Sequence, residues 1–134
     1  MISRIRHFIR RKRAEYRERK KERTRSPRWR AVRARYLREH PFCAGCGSQR
    51  HLQLHHVRPY HLHPELELEP SNLVTACMDT SECHLLVCHG DSFRAYNPNV
   101  VNDLEELRRE PSRRRAIVSR AKLNSLLTDT KEKS

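Results

Sequence analysis

No run of apolar residues in the sequence approaches the roughly 20 residues that a membrane-spanning helix needs. The N-terminus also lacks the apolar core of a secretory signal. These absences predict a soluble protein of a reducing, cytoplasmic compartment, associated with the nucleoid or, for a viral protein, lying in the host cytoplasm. An organellar transit peptide is Arg-rich but poor in acidic residues, and Glu15, Glu18 and Glu22 argue against one.

Aromatic and apolar residues are also scarce, at 6% and 36% of the 134 residues. A chain of this length has room for one compact core of modest size and an extended arm. We therefore expect the fold to draw stability from something other than apolar packing.

Acidic residues are rare only in the first part of the chain. Residues 1–40 contain 17 Lys and Arg against 4 Asp and Glu, whereas the remaining residues contain 12 of each. A cationic arm next to a neutral domain is typical of proteins that bind polyphosphates, most simply nucleic acids. An acidic membrane surface is the competing partner, but "RRKRAEYRERKKERTR" offers almost no apolar stripe to bury in a bilayer interface.

The five cysteines fit a metal site better than a disulfide framework, because their number is odd. Cys43 and Cys46 form a C-x2-C pair, and Cys77 and Cys83 form a wider C-x5-C pair about thirty residues later. Four thiolates in two pairs can close a tetrahedral zinc site, which would supply folding energy. Cys88 is left over, either as a packed residue or as a ligand.

The pattern of apolar and helix-breaking residues predicts a small α+β domain. Trp29, Val32, Tyr36 and Leu37 recur at helical spacing and indicate an amphipathic helix over 27–39 with a core-facing stripe. Strands are expected at about 52–57 and at "NLVTA", paired antiparallel across a long loop, followed by a short helix near 82–89. Residues 103–127 read as helix interrupted at Pro111. We divide the chain into a basic arm (1–26), a central domain (27–101) and a C-terminal helical segment with a tail (102–134).

One ordered set of residues within this frame resembles a known family. His55-His56, then "PSNLVTAC", then "CHLLVCH" is similar to the ββα-metal motif of the HNH endonucleases, and the cysteine pairs resemble the zinc-containing four-cysteine members. The resemblance covers roughly residues 29–99. It implies an antiparallel hairpin and a helix around a single divalent cation, with flanking helices and a four-cysteine zinc knuckle.

The resemblance also implies a role for each residue of the set. His55 and His84 would bind the cation, which could be Mg²⁺, Mn²⁺, Ni²⁺ or Zn²⁺. His56 would be the general base, since a neutral imidazole can take a proton from water near pH 7. Asn72 would brace the loop by hydrogen bonds, and Arg58 is close enough to the strand to contact a phosphate.

The chain departs from the family at the next position of the helix. Many members have a histidine four residues after the one matched by His84, where an α-helix returns to the same face; here that position is Cys88, and His89 follows. Either the helix ends or bulges before His89, as Gly90 would allow, or the protein supplies only two ligands.

These features lead to two functional hypotheses. The first is a metal-dependent endonuclease that hydrolyses DNA phosphodiester bonds, with the basic arm and the active-site groove binding DNA. The second is a non-catalytic, zinc-containing module that binds nucleic acid. The full set of His55, His56, Asn72 and His84 favours the first, because binding alone does not require it. The oligomeric state and the choice between His89 and Cys88 stay open.

Overall fold

A computed structural model describes residue 5 and residues 9–14 and 24–128. Most of the predicted basic arm and the last six residues of the predicted tail lie outside the described residues. Residues 9–14 are helical. No helix in the described part of the chain is both long enough and apolar enough to span a membrane.

The central part of the chain is an antiparallel hairpin with helices on either side of it in sequence. Helix α1 (Trp29–Glu39) is followed by strands β1 (Leu52–His56) and β2 (Leu73–Cys77), then by a π-helical turn (His84–Cys88). Helices α2 (Val100–Arg109) and α3 (Arg114–Leu126) complete the fold. The predicted α+β class, the hairpin and the flanking helices are confirmed.

The two strands pair in a register that carries both histidines of β1 to the same end of the hairpin. Leu52 lies opposite Cys77, and His56 lies opposite Leu73. The long connection between the strands contains two short 3₁₀ turns, Pro64–Leu66 and Pro70–Asn72, each beginning with a proline. Asn72 therefore ends a 3₁₀ turn, whereas the sequence predicts that it opens β2.

The hydrophobic core lies between the hairpin, the π-helical turn and the C-terminal helices. Its largest fully buried apolar side chains are Val87, Val100, Leu104 and Ile117, and four of the cysteines lie in the same cluster. Pro111 begins a 3₁₀ turn that separates α2 from α3, so the helix break falls where the proline predicts it.

Helix α1 differs from the prediction in its start and in its packing. It begins at Trp29 rather than at residue 27, and the Ser26 hydroxyl accepts a hydrogen bond from the Arg28 amide in the preceding turn. None of its residues is fully buried, so the predicted core stripe is half-buried instead. The physical reason is that α1 covers only one part of a two-stranded sheet. Its contact with the sheet includes a hydrogen bond from the Tyr36 hydroxyl to the Leu73 carbonyl at 2.8 Å.

A buried carboxylate joins α2 to its neighbours. Asp103 is fully buried and accepts hydrogen bonds from the side chains of Asn97, at 2.7 Å, and Asn99, at 3.1 Å. Arg120 of α3 donates to the same carboxylate and to Glu106. A buried polar group of this kind is stable only while its partners are present.

Replacing Asp103 by Ala should lower the free energy of unfolding by about 1–3 kcal/mol, because the fully buried Asn97 amide loses one of its two acceptors. Urea titration followed by circular dichroism measures the change. Glu105→Ala is the matched control, since Glu105 is an exposed acid on the same helix and should change stability by less than about 0.5 kcal/mol. Equal effects of the two substitutions would contradict this role for Asp103.

Candidate metal centre

Four cysteines from three parts of the chain meet in one cluster. Cys43 and Cys46 lie in a tight turn, Cys77 ends β2, and Cys83 precedes the π-helical turn. Their sulfur atoms all lie within 4.8 Å of one another, and those of Cys46 and Cys77 are 3.5 Å apart. Sulfurs bound to a tetrahedral ion at about 2.3 Å are separated by about 3.8 Å, whereas a disulfide requires about 2 Å. The four free thiols therefore have the spacing of metal ligands.

The thiols of this cluster already interact with one another. The contact with Cys83 lowers the pKa of Cys43 to about 4, and the same contact, together with burial, raises the pKa of Cys83. Cys88 is buried in the hydrophobic core, and it belongs to neither of the groups that could hold a metal ion in the described part of the chain.

Three histidines form a second group with metal-binding geometry. His55 comes from β1, His84 begins the π-helical turn, and His89 directly follows that turn. The ring centroids of His55 and His84 are 5.3 Å apart, and the ring centroid of His89 lies 4.8 Å from each of the other two. The group thus contains His89 and not Cys88.

The π-helical turn explains how His89 comes to face His84. In an α-helix, residues five apart point about 140° away from each other. A π-helix is wider, with hydrogen bonds between residues five apart, so one such turn carries the fifth residue back to the starting face. Gly90 then ends the turn at φ 57°, where a Cβ atom would collide with the Ser125 side chain. Of the two alternatives considered for His89, the bulged helix is the one observed.

The hydrogen bonds of the three rings determine which nitrogen is available to a metal. Nδ1 of His84 lies 2.8 Å from the Gln53 side-chain oxygen, and Nδ1 of His89 lies 2.7 Å from the Ala95 carbonyl oxygen. Because these oxygens accept, each Nδ1 carries the proton and each Nε2 keeps its lone pair. Nε2 of His55 is buried and has no hydrogen-bond partner among the described residues. Hydrogen bonds from Nδ1, such as those of His84 and His89, are typical of histidines that bind a metal through Nε2.

The same three imidazoles are held in the neutral form that a ligand requires. Burial lowers the pKa of His55 well below its usual range, and His89 and His84 lower it further. Burial also lowers the pKa of His84 to about 4 and depresses that of His89. An orphaned buried nitrogen among neutral imidazoles fits a divalent cation, which would satisfy that nitrogen.

His56 is adjacent to this group in sequence but has different partners. Its Nε2 lies 3.0 Å from the backbone carbonyl oxygen of Glu67, so that nitrogen carries the proton and Nδ1 is left as the acceptor. The indole of Trp29 stacks on the imidazole with ring centroids 4.7 Å apart. Burial lowers the pKa of His56, which keeps the ring neutral near pH 7.

Asn72 connects the two ends of the loop between the strands. Its side-chain oxygen accepts from the Arg58 amide at 2.8 Å, and its side-chain nitrogen donates to the carbonyl oxygens of Arg58 and Leu66 at 3.1 and 3.3 Å. These bonds hold the loop beside His56, since Leu66 directly precedes Glu67.

A cavity of about 310 Å³ opens onto His56 and onto the three histidines of the metal group. The three histidines of the metal group and His56 line it, together with two cationic side chains, Arg25 and Arg94. Arg58, which we had expected near a phosphate, is exposed and does not line this cavity. The positive charge at the site comes instead from Arg25, at the end of the predicted arm, and from Arg94, which follows the π-helical turn.

Glu67 holds the end of the basic arm, at Arg25 and Ser26, next to the site. Its side chain is 7% exposed, and both carboxylate oxygens lie 3.2 Å from the Ser26 backbone nitrogen. Arg25 lies 3.9 Å from the same carboxylate and covers the ring of Trp29 at 4.6 Å. Sequence reasoning gave no role to Trp29, Arg25 or Glu67 in the site, because their contacts join distant parts of the chain. Gln53 was also missed, although its spacing of two from His55 places both on one face of β1.

Replacing Glu67 by Ala should loosen the Ser26 backbone, since its amide loses both acceptors. We expect trypsin to cut the Arg25–Ser26 bond about 5- to 30-fold faster, as for a local opening that is about 1–2 kcal/mol easier. Mass spectrometry of timed digests measures the rate. The control is Glu65→Ala, because the Glu65 side chain is 65% exposed. Identical digestion of the parent and both variants would rule out the fastening.

The model of the HNH endonuclease family matches residues 43–87 of the chain. The match begins at the first cysteine of the cluster and includes His55, His56, Asn72 and His84, and it stops two residues before His89. The predicted resemblance to the HNH endonucleases is therefore confirmed over residues 43–87. Members of this family are generally nucleases that use divalent metals. No curated protein and no solved structure shows significant similarity to the chain.

Proposed function

We propose that this HNH domain makes the protein a metal-dependent endonuclease that hydrolyses DNA phosphodiester bonds. The observation that carries the proposal is the pairing of two differently oriented imidazoles on β1. His55 presents to the metal group a buried nitrogen that has no partner in the part of the chain that the structure describes, while His56 is bonded to the Glu67 carbonyl and keeps an acceptor at Nδ1. A nucleic-acid-binding module would need neither arrangement.

His56 is the general base in this proposal. Its Nδ1 lone pair takes the proton of the water that attacks the phosphorus, which converts the ring to an imidazolium. The Glu67 carbonyl, 3.0 Å from Nε2, stabilises the charge that the ring gains. Trp29 stacked against the ring and Asn72 bracing the loop restrict its rotation, so that the acceptor stays aimed at the water.

His55, His84 and His89 would hold the divalent cation through their Nε2 atoms. When bound, the cation polarises the phosphate and stabilises the negative charge on the leaving 3′ oxygen. Imidazole ligands accept several divalent ions, so Mg²⁺, Mn²⁺, Ni²⁺ and Zn²⁺ are all candidates. Arg25 lies at the rim of the same cavity, where its guanidinium can pair with a phosphate oxygen of the substrate.

The cysteine cluster would hold a structural zinc ion. Four thiolates satisfy a tetrahedral ion completely and leave no open position for a substrate. This ion would cross-link the turn at residues 43–46, the end of β2 and the start of the π-helical turn, so it would fix the element that carries His84 and His89.

The nuclease proposal is tested by incubating supercoiled plasmid with the protein and each of the four divalent ions. His56→Ala should lower the nicking rate about 10²- to 10⁴-fold, because the proton acceptor is lost. His63→Ala is the control, since His63 bonds to the exposed Glu65 and does not line the cavity. Nicking by His56→Ala at the parental rate would refute the role of His56. If no nucleic acid is cut under any condition, the binding module is the better description.

The zinc proposal predicts about one zinc ion per chain that survives dialysis against a weak chelator. Cys43→Ser should remove that ion and unfold the domain, because three thiolates hold zinc less tightly than four. Cys88→Ala should keep the ion, since Cys88 is outside the cluster. Inductively coupled plasma mass spectrometry gives the stoichiometry, and a folded parent protein without zinc would contradict the proposal.

A further inference from the structure

Phe93 is an exposed aromatic side chain at the mouth of the cavity. It is 57% exposed, and its ring lies 5.6 Å from that of His84 and 5.0 Å from that of His89. Apolar surface left in water adds nothing to the stability of a protein whose apolar residues are few. The position therefore suggests a partner that covers the ring when substrate is bound.

The segment that carries Phe93 is held in place by hydrogen bonds. The Ser92 amide donates to the His89 carbonyl at 3.2 Å, and the Ala95 amide donates to the Ser92 carbonyl at 2.9 Å. The Ala95 carbonyl in turn accepts from the His89 ring at 2.7 Å. Phe93 thus lies in a turn that is hydrogen-bonded on both sides to His89 of the metal group.

The cavity that Phe93 lines is rich in aromatic and cationic groups. Tyr60 and Tyr96 also line it, although the whole chain has only eight aromatic residues. The Tyr60 ring is fixed by a hydrogen bond from its hydroxyl to the Thr24 carbonyl at 2.9 Å, and the Arg25 guanidinium covers it at 5.1 Å. Aromatic rings interleaved with cations are how proteins bind single-stranded nucleic acid, with bases stacked on the rings and phosphates paired with the cations.

The depth of the histidine group restricts which phosphates can reach it. His55 is 4% exposed and His84 is 9% exposed, so a scissile phosphate has to enter the cavity rather than touch a flat surface. The backbone of an unpaired nucleotide can bend into such a cavity, and its base is then free to stack. A base inside a continuous duplex already stacks on its neighbours and would first have to be extruded.

Resting on the nuclease function proposed above, we propose that Phe93 is a stacking platform for an unpaired nucleobase next to the scissile phosphate. The preferred substrate class is then DNA with unpaired nucleotides at the cleavage position, such as a gap, a flap or a single strand. Stacking on an aromatic ring tolerates every base, so this preference concerns structure and not sequence.

Cleavage of two DNA substrates of identical sequence, one a continuous duplex and one with a short single-stranded gap, tests the preference. The parent protein should cut the gapped DNA with a higher kcat/KM. Phe93→Ala should lower kcat/KM for the gapped DNA by about 5- to 150-fold and change the duplex value much less, as expected for the loss of one stacked base. Phe93→Trp should retain the preference, because indole also stacks. Phe42→Ala is the matched control, since Phe42 is 50% exposed and does not line this cavity.

A binding measurement separates this proposal from the proposed catalysis. With the structural zinc bound and no other divalent ion added, gapped DNA with 2-aminopurine at an unpaired position should lose fluorescence on the parent protein and on Phe42→Ala, and keep it on Phe93→Ala. If no DNA is cut, the nuclease function fails, and the fluorescence still decides the role of Phe93. Equal cleavage of gapped and duplex DNA by the parent, an equal loss on both substrates in Phe93→Ala, or quenching that persists in that variant would each overturn the proposal.

Discussion

The convergence of three imidazoles on one point depends on a single local departure from α-helical geometry. A π-helical turn over His84–Cys88 places His89 on the same face as His84, and the backbone can leave that turn at Gly90 because φ there is 57°. Without the extra residue in the turn, His89 would point away and Nε2 of His55 would face only one neighbouring imidazole. The buried nitrogen of His55 has no hydrogen-bond partner among the described residues, which is energetically acceptable only if something else satisfies it. A divalent cation would do so, and the three rings could bind it because burial lowers their pKa values and keeps them neutral.

The two candidate metal sites would have different roles in the small domain. The cysteine cluster joins the turn at residues 43–46, the end of β2 and the start of the π-helical turn within the hydrophobic core. The histidine group includes residues at both ends of that turn, His84 at its start and His89 just after it, and lines the cavity. Cys83 and His84 are adjacent in sequence and belong to different groups, so an ion that fixes the first would also fix the direction of the second. Sulfur ligands on one side and nitrogen ligands on the other favour different ions.

Much of this arrangement could be predicted from the sequence, because it depends on residue type and order. The C-x2-C pair, the His55-His56 doublet, the proline at 111 and the alternation in β1 each report on local structure. His89 could not be assigned, since the sequence gives no sign of a π-helical turn and α-helical spacing argues against that residue. The contacts of Trp29 with His56 and of Glu67 with Ser26 join residues 27 and 41 positions apart, and no local pattern encodes them. Arg58 follows the strand that carries His55 and His56, but its side chain is exposed and does not line the cavity, so its contact with a phosphate stays a prediction.

The central claim is that His55, His84 and His89 bind one divalent cation together. Its most direct test is the crystal structure of the protein soaked with Mn²⁺ or Ni²⁺, with the ion located by anomalous scattering. We expect one ion at about 2.0–2.3 Å from Nε2 of all three histidines, and no ion at this position in crystals of His89→Ala soaked at the same concentration. An ion bound by His55 and His84 alone, with the His89 ring turned away, or a histidine group that binds no ion, would contradict the account.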